Sequence, residues 1–146
     1  SCPDVVRGAT GGSLAAFALG AEGVQIGSRF VASLESSAHE NFKNKVIHTQ
    51  EGETLLTLKE LTPVRLIKNK FFQSVEEAKL QGASADELKA LLGKGRAKKG
   101  MFEGDLDEGE LEIGQVAASI KEIKSAGEIV REIMREFEDR KKSFNV

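Results

Sequence analysis

At 146 residues, with 40% hydrophobic and 30% charged side chains, the chain is long enough for one ordinary soluble domain and too apolar to be disordered. Its 21 basic and 23 acidic residues sum to a formal charge of -2, which argues against a nucleic-acid partner, since that would favour a basic face. One cysteine, Cys2, allows no internal disulfide, and the longest apolar run, Leu14 to Leu19, is too short to span a bilayer. A lone thiol suits a reducing cytoplasm, and Ser1-Cys2-Pro3-Asp4 has no secretory pattern, so a cytoplasmic location is expected.

In chain order, Leu14 to Leu19 reads as a short small-residue helix that stops at Gly20, a natural left-handed cap. Val24-Gln25-Ile26 reads as a buried strand ending at Gly27-Ser28. Ser37 with Glu40 predicts a capping box, opening a helix to about Thr49 with Phe42 and Val46 on one face. Thr54 to Leu58 predicts a strand, and Thr62-Pro63 a break. Two further boxes, Ser74 with Glu77 and Ser84 with Glu87, predict helices ending before Gly82 and at Gly93. Gly93 to Gly109 predicts mostly loop. The spacing of Ile113, Val116, Ala117, Ile120 and Ile123 predicts a helix. Ser125 with Glu128 opens the last helix, whose stripe is Ile129, Val130, Ile133, Met134 and Phe137, with Arg140-Lys141-Lys142 suiting its negative end.

A strand that ends in Gly-Ser offers unobstructed backbone N–H groups and a hydroxyl, which suit a phosphate; a plain tight turn is the competing reading. In (β/α)8 barrels the phosphate site lies at the loops after strands seven and eight. Asp105 to Glu110 resembles a calcium loop but fails it: Gly109 stands at the fifth position where a ligand belongs, Glu110 at the sixth where glycine belongs, and Val116 where the bidentate glutamate belongs. The two histidines and one cysteine lack metal-ligand spacing. Gly93-Lys94-Gly95-Arg96-Ala97-Lys98-Lys99-Gly100 is not a Walker pattern and reads as a solvated basic loop. His39 reads as an exposed or capping residue, and His48 as a surface residue facing a helix end.

Four ordered segments resemble the family of nitronate monooxygenases (2-nitropropane dioxygenases) and flavin-dependent enoyl reductases. They are Leu19-Gly20-Ala21-Glu22-Gly23-Val24-Gln25-Ile26-Gly27-Ser28-Arg29-Phe30, Glu35-Ser36-Ser37-Ala38-His39, Val64-Arg65-Leu66-Ile67-Lys68-Asn69, and Gly104-Asp105-Leu106-Asp107-Glu108-Gly109 through Gly114-Gln115. The resemblance implies an α/β fold: the C-terminal portion of an FMN-binding (β/α)8 TIM barrel with a mainly helical substrate-side subdomain. It divides the chain into a last barrel helix-strand unit with its phosphate turn (1–33), a mainly helical inserted subdomain (34–112) and C-terminal helices packing back on the barrel (113–146). It implies cofactor contacts at Gly27 and Ser28, a flavin-side glutamine at Gln115, and a first phosphate loop in the region of Gly11 and Gly12.

Two departures accompany it. The family shows a Gly-Gly pair ending the preceding strand where this chain has Val5-Val6-Arg7-Gly8, which sets Ser1 to Gly8 outside the pattern. Glu112 stands where the enoyl reductases carry methionine. The family's histidine, a base or proton-handling group ahead of the phosphate loops, has no counterpart here, so no catalytic residue is expected. The implied activity is oxidation of a nitronate or nitroalkane with dioxygen, by a barrel whose N-terminal half must come from elsewhere. Reduction of an enoyl thioester is the alternative within the family, and a cofactor-free helical interaction module the alternative outside it. No membrane partner is expected.

Overall fold

The computed structural model describes residues 5–7 and 12–143. In chain order its elements are β1 (Val5–Arg7), α1 (Ser13–Ala18), β2 (Gly23–Gln25), α2 (Ser28–Val31), α3 (Glu40–His48), β3 (Thr54–Thr57), β4 (Val64–Ile67), α4 (Lys70–Leu80), α5 (Ala85–Leu92), α6 (Arg96–Met101), a 3-10 turn (Gln115–Ser119) and α7 (Ala126–Ser143). They form two compact units, Ser1–Ser36 with Glu122–Val146 and Ser37–Lys121.

In the first unit β1 and β2 pair in parallel, Val5 opposite Gly23, Val6 opposite Val24 and Arg7 opposite Gln25. Val5–Arg7, within the stretch set apart by its mismatch to the family pattern, is therefore a strand, and β2 begins one residue earlier than expected. Parallel neighbours need a crossover, and α1 supplies it, giving one β-α-β unit. The helix ends as its sequence demands: Gly20 takes φ +89, Ala21 N–H donates to Ala16 O (3.0 Å) and Gly20 N–H to Phe17 O (2.9 Å), a Schellman closure. Helix α7 packs along α1 and α2. The Ser125–Glu128 box forms as expected, and Glu35 adds a second cap by accepting from Ala126 N–H at 2.8 Å. Of the α7 stripe, Ile129 and Ile133 are buried and Phe137 meets Phe17 edge to face at 5.6 Å, whereas Val130 and Met134 stay about half exposed.

The second unit corrects four expectations. Ser37 does not cap α3. His39 does, its Nδ1 accepting from Asn41 N–H (3.1 Å), because His39 N–H is drawn to Met101 O (2.8 Å) and holds the chain extended up to that residue. Ser74 does not open α4, whose N-cap lies five residues earlier at Asn69. Asn69 Oδ1 accepts from Phe72 N–H (2.9 Å), and Ser74 lies inside the helix with its hydroxyl on Lys70 O. The reason is apolar: the earlier start carries Phe71, Phe72 and Val75 into a core with Leu58 and Leu66.

The glycine-rich basic stretch is not mostly loop but contains α6. Arg96 anchors it, donating to Leu91 O, Leu92 O and Glu108 O (3.1, 2.9 and 2.8 Å) while its guanidinium lies 4.5 Å over the Phe71 ring. Finally, Ile113 to Ile123 yields only the 3-10 turn. Its leading residues pair instead with β4: Ile67 N–H donates to Leu111 O, Ile113 N–H to Arg65 O, and Leu66 bridges Glu112. The Ser84–Glu87 box forms as predicted and opens α5.

Strand β3 pairs antiparallel with β4, from Thr54 opposite Ile67 to Thr57 opposite Val64. Its burial inverts the hydrophobic order, because Thr54 and Thr57 are buried while Leu55 and Leu56 are nearly half exposed. Each threonine is satisfied. Arg65 donates to Thr54 O and Oγ1 (3.1 and 3.3 Å), and Thr57 Oγ1 donates to Glu76 Oε1 at 2.6 Å. Leu58 follows with φ +53, a conformation costing about 1–2 kcal/mol for a side chain with a Cβ, tolerated where the leucine is fully buried.

The loop after α6 closes on α4. Asn69 Nδ2 donates to Leu106 O (2.9 Å) and Gly109 O (2.8 Å). Gly100 and Gly109 approach backbone to backbone, and a Cβ on either would overlap main-chain atoms. Asn69→Ala removes a helix cap and both carbonyl partners together and should destabilise the protein by about 2–3 kcal/mol, read as a lowered denaturation midpoint.

A pH dependence follows from the β3–α4 contact. The Thr57 hydroxyl, then Lys79, hold the Glu76 carboxyl below its ordinary value, against its partial burial. A depressed folded-state pKa contributes stability above the unfolded value, lost as the pH falls through the folded one. Chemical denaturation should therefore show stability falling below about pH 4.3, with a Thr57→Val variant losing part of that slope; the side chain's exposure keeps the effect below about 1 kcal/mol.

Candidate functional site

Among the sequence-predicted site residues, Gly12, Gly27 and Ser28 belong to the first unit and Gln115 to the second. Gly11 lies outside the described residues. Gly12 stands at the N-cap of α1 with φ -89, a conformation any residue adopts, and a Cβ there would meet nothing within 4 Å. The next residue is one the sequence reading passed over. Ser13 is 5% exposed, and its buried Oγ has no hydrogen-bond partner among the described residues. Buried hydroxyls are normally satisfied, so an orphan beside this loop marks a position where an incoming acceptor or donor would be held. No sequence signal distinguishes it from the serines that cap or surface helices.

Gly27 follows β2 and caps the single-turn α2, its carbonyl accepting from Phe30 N–H (2.9 Å) and Val31 N–H (3.3 Å). Its φ of -109 does not require glycine, and open space lies where a Cβ would be. Glycine is therefore not required here by backbone conformation, and its main chain is uncovered by any side chain of its own. Ser28 is half exposed, and Arg29 beyond it is buried. Strand β2 is itself only half covered, unlike parallel strands enclosed on both faces.

In the second unit Gln115 is exposed at the start of the 3-10 turn. It lines a cleft of about 490 Å³ whose opposite wall carries Gln50, Glu51, Gly52 and Thr54. The lining is mainly polar amide, carboxylate and hydroxyl, suited to a ligand edge carrying both donors and acceptors. Elsewhere in this unit Glu110 is buried, and burial, followed by the neighbouring Glu112 charge, pushes its carboxyl up while Arg96 opposes.

Both histidines make local contacts at the ends of α3. His39 caps α3, and Gly104, at φ +80, lies so close to its ring that any side chain at 104 would overlap it. His48 Nδ1 sits 2.7 Å from Asn44 O in the last turn of α3. Asp105, the head of the supposed calcium loop, caps a turn by accepting from Asp107 and Glu108 N–H and pairs with Lys99 at 3.1 Å. Among the described residues no group of three His, Cys, Asp or Glu could hold a metal ion, and no helix is long and apolar enough to cross a membrane.

Comparison with known proteins places this geometry. The sequence model of the family described as nitronate monooxygenase matches residues 9–136, and the chain belongs to that family. It is 32% identical over 126 residues to a probable nitronate monooxygenase of Bacillus subtilis (strain 168), covering 86% of this chain and 36% of that protein. A nitronate monooxygenase of Neurospora crassa is 31% identical over 134 residues, 88% of this chain and 35% of its own length. Among solved structures, FabK from Thermotoga maritima superposes with a TM-score of 0.86 at 33% identity, over 97% of this chain and 46% of that one. Nitroalkane oxidase from Streptomyces ansochromogenes gives 0.71 at 26% identity, over 96% of this chain and 40% of that one. The chain thus spans about a third of the curated relatives and less than half of the solved chains.

Because no atom occupies the Cβ position of Gly27, Gly27→Ala should leave thermal stability within about 0.5 kcal/mol of the parent. Calorimetry showing a larger loss would make the glycine a packing requirement.

Proposed function

We propose that these residues serve an FMN-dependent oxidoreductase that oxidises small nitronates or nitroalkanes with dioxygen. The observation that carries the reading is the Gly27-Ser28 turn. It ends a parallel strand in a member of this family and leaves its main chain open to a ligand. FMN, when bound, supplies the redox chemistry, taking an electron pair from the substrate and passing it to dioxygen. Gly27 backbone N–H and the Ser28 hydroxyl hold the phosphate. Gly12, with Gly11 and the orphan Ser13 hydroxyl, contributes to the first phosphate loop, and Gln115 offers its carboxamide to the flavin ring. The helices from α3 onwards form the substrate-side wall, and further βα units supply the rest of the barrel. A carboxylate at Glu112 speaks against the enoyl thioester alternative.

Both histidines have structural surroundings, and no residue here matches the family's base. Supplied with FMN, this chain alone should show no detectable nitronate-dependent oxygen consumption; turnover abolished by a substitution within it would overturn that assignment. When the remainder of the barrel is present, Gly27→Val should weaken FMN binding more than tenfold, since the side chain excludes several hydrogen bonds worth about 1.5–3 kcal/mol each to a charged phosphate. Ser28→Ala should cost less, one donor being lost. Fluorescence titration decides, and parent-like affinity in Gly27→Val would leave the turn merely structural.

A further inference from the structure

We infer that Glu132, through Arg29, positions the Gly27-Ser28 turn, with Lys124 holding Glu132 in place. What the turn binds rests on the phosphate reading above; how it is held does not.

Helix α2 has four residues, too short to be stable alone, because one turn of helix costs more in ordering than its hydrogen bonds return. Something outside must fix it. Arg29, one residue beyond Ser28, has a side chain only 8% exposed, and its guanidinium reaches across the unit. One terminal nitrogen donates to Glu122 O at 3.2 Å and Ala32 O at 3.4 Å, while the other lies 4.0 Å from Glu132 Oε2. The guanidinium is planar with a fixed fork of donors, so engaging both nitrogens leaves the side chain one orientation. That orientation fixes the residue-29 backbone and the peptides just before it.

Glu132 is held in turn. Its Oε1 takes Lys124 Nζ at 2.9 Å, and Lys124 also pairs with Glu122. Lys124, then Arg29 and Arg135, hold the Glu132 carboxyl below its ordinary range, so it stays charged opposite Arg29 near neutral pH. The Lys124 main chain extends the tie, since its carbonyl accepts Leu34 N–H at 3.0 Å and the residue bridges Ser33 in parallel. A buried guanidinium without its carboxylate is strongly unfavourable, so removing the Glu132 charge should release Arg29 and loosen the turn.

Amide exchange tests this on the full chain. The Phe30 and Val31 amides, both bonded to Gly27 O, report the turn directly. In Glu132→Gln their exchange should accelerate about tenfold or more, while the 64–67 strand amides and an exposed α7 control, Glu138→Gln, stay at parent rates. Lys124→Met, which leaves Arg29 and Glu132 intact, should produce a smaller change in the same direction and serves if Glu132→Gln folds poorly. Unchanged exchange at Phe30 and Val31 in both variants overturns the inference. A second arm titrates inorganic phosphate and follows the Gly27 and Ser28 amide resonances. Parent shifts that saturate at about tenfold higher phosphate in Glu132→Gln, with the melting temperature held comparable by the control, support positioning of the anion rather than general stability. If phosphate moves nothing in the parent while exchange still responds to Glu132, the phosphate reading fails and the positioning of the turn stands.

Discussion

One carboxamide ties the second unit together. Asn69 caps α4 with its oxygen and donates its nitrogen to Leu106 O and Gly109 O, so one side chain fixes a helix start and the return of the distant 105–109 loop. That return is possible because Gly100 and Gly109 let two backbones touch. It is completed from the other side by Arg96, which joins the end of α5 to Glu108 O while stacking on Phe71. Remove the carboxamide and three part-buried backbone groups, Phe72 N–H, Leu106 O and Gly109 O, lose their partner at once.

This explains a feature of the family-like segments. Most of their distinctive residues serve the fold. Glu35 caps α7 and His39 caps α3. Arg65 satisfies buried Thr54, Asn69 clamps the loop, Gly104 makes room for the His39 ring, and Gly109 meets Gly100. The segments Val64 to Asn69 and Gly104 to Gly109 occur together because they are physical partners. Motifs of this kind identify an architecture.

The two units also differ in how well they cover themselves. In the first unit a half-exposed parallel strand sits with exposed Phe17, Leu19, Leu34, Val130 and Met134, whereas the second has its own core around Leu58, Leu66, Phe71 and Val75. Parallel sheets are usually covered on both faces, and this two-stranded one is not. Polar order within it is correspondingly local: the Arg29, Glu132, Lys124 and Glu122 network holds with charge what a larger apolar interior would hold by packing.

The sequence by itself determined whatever depends on neighbours a few residues apart. The boxes at Ser84 and Ser125, the left-handed end at Gly20, the helix ends by Gly82 and Gly93, the helix over Leu14 and the strand at Thr54 are local agreements between backbone and side chain, and all are present. Ordered motif matches also made the family legible. Distant contacts decided the rest. His39 replaced Ser37 as a cap because Met101 O draws its amide, and Asn69 replaced Ser74 because two phenylalanines had a core to enter. Arg96 became an anchor because Phe71 and three carbonyls lay within reach. Ile113 joined β4 because an edge was open there, which periodicity cannot foresee. At the site, glycine at 27 could be read as access or as turn from its letter alone. Only the built backbone, with an ordinary φ and empty space in place of a Cβ, shows that no backbone conformation and no close contact requires glycine here.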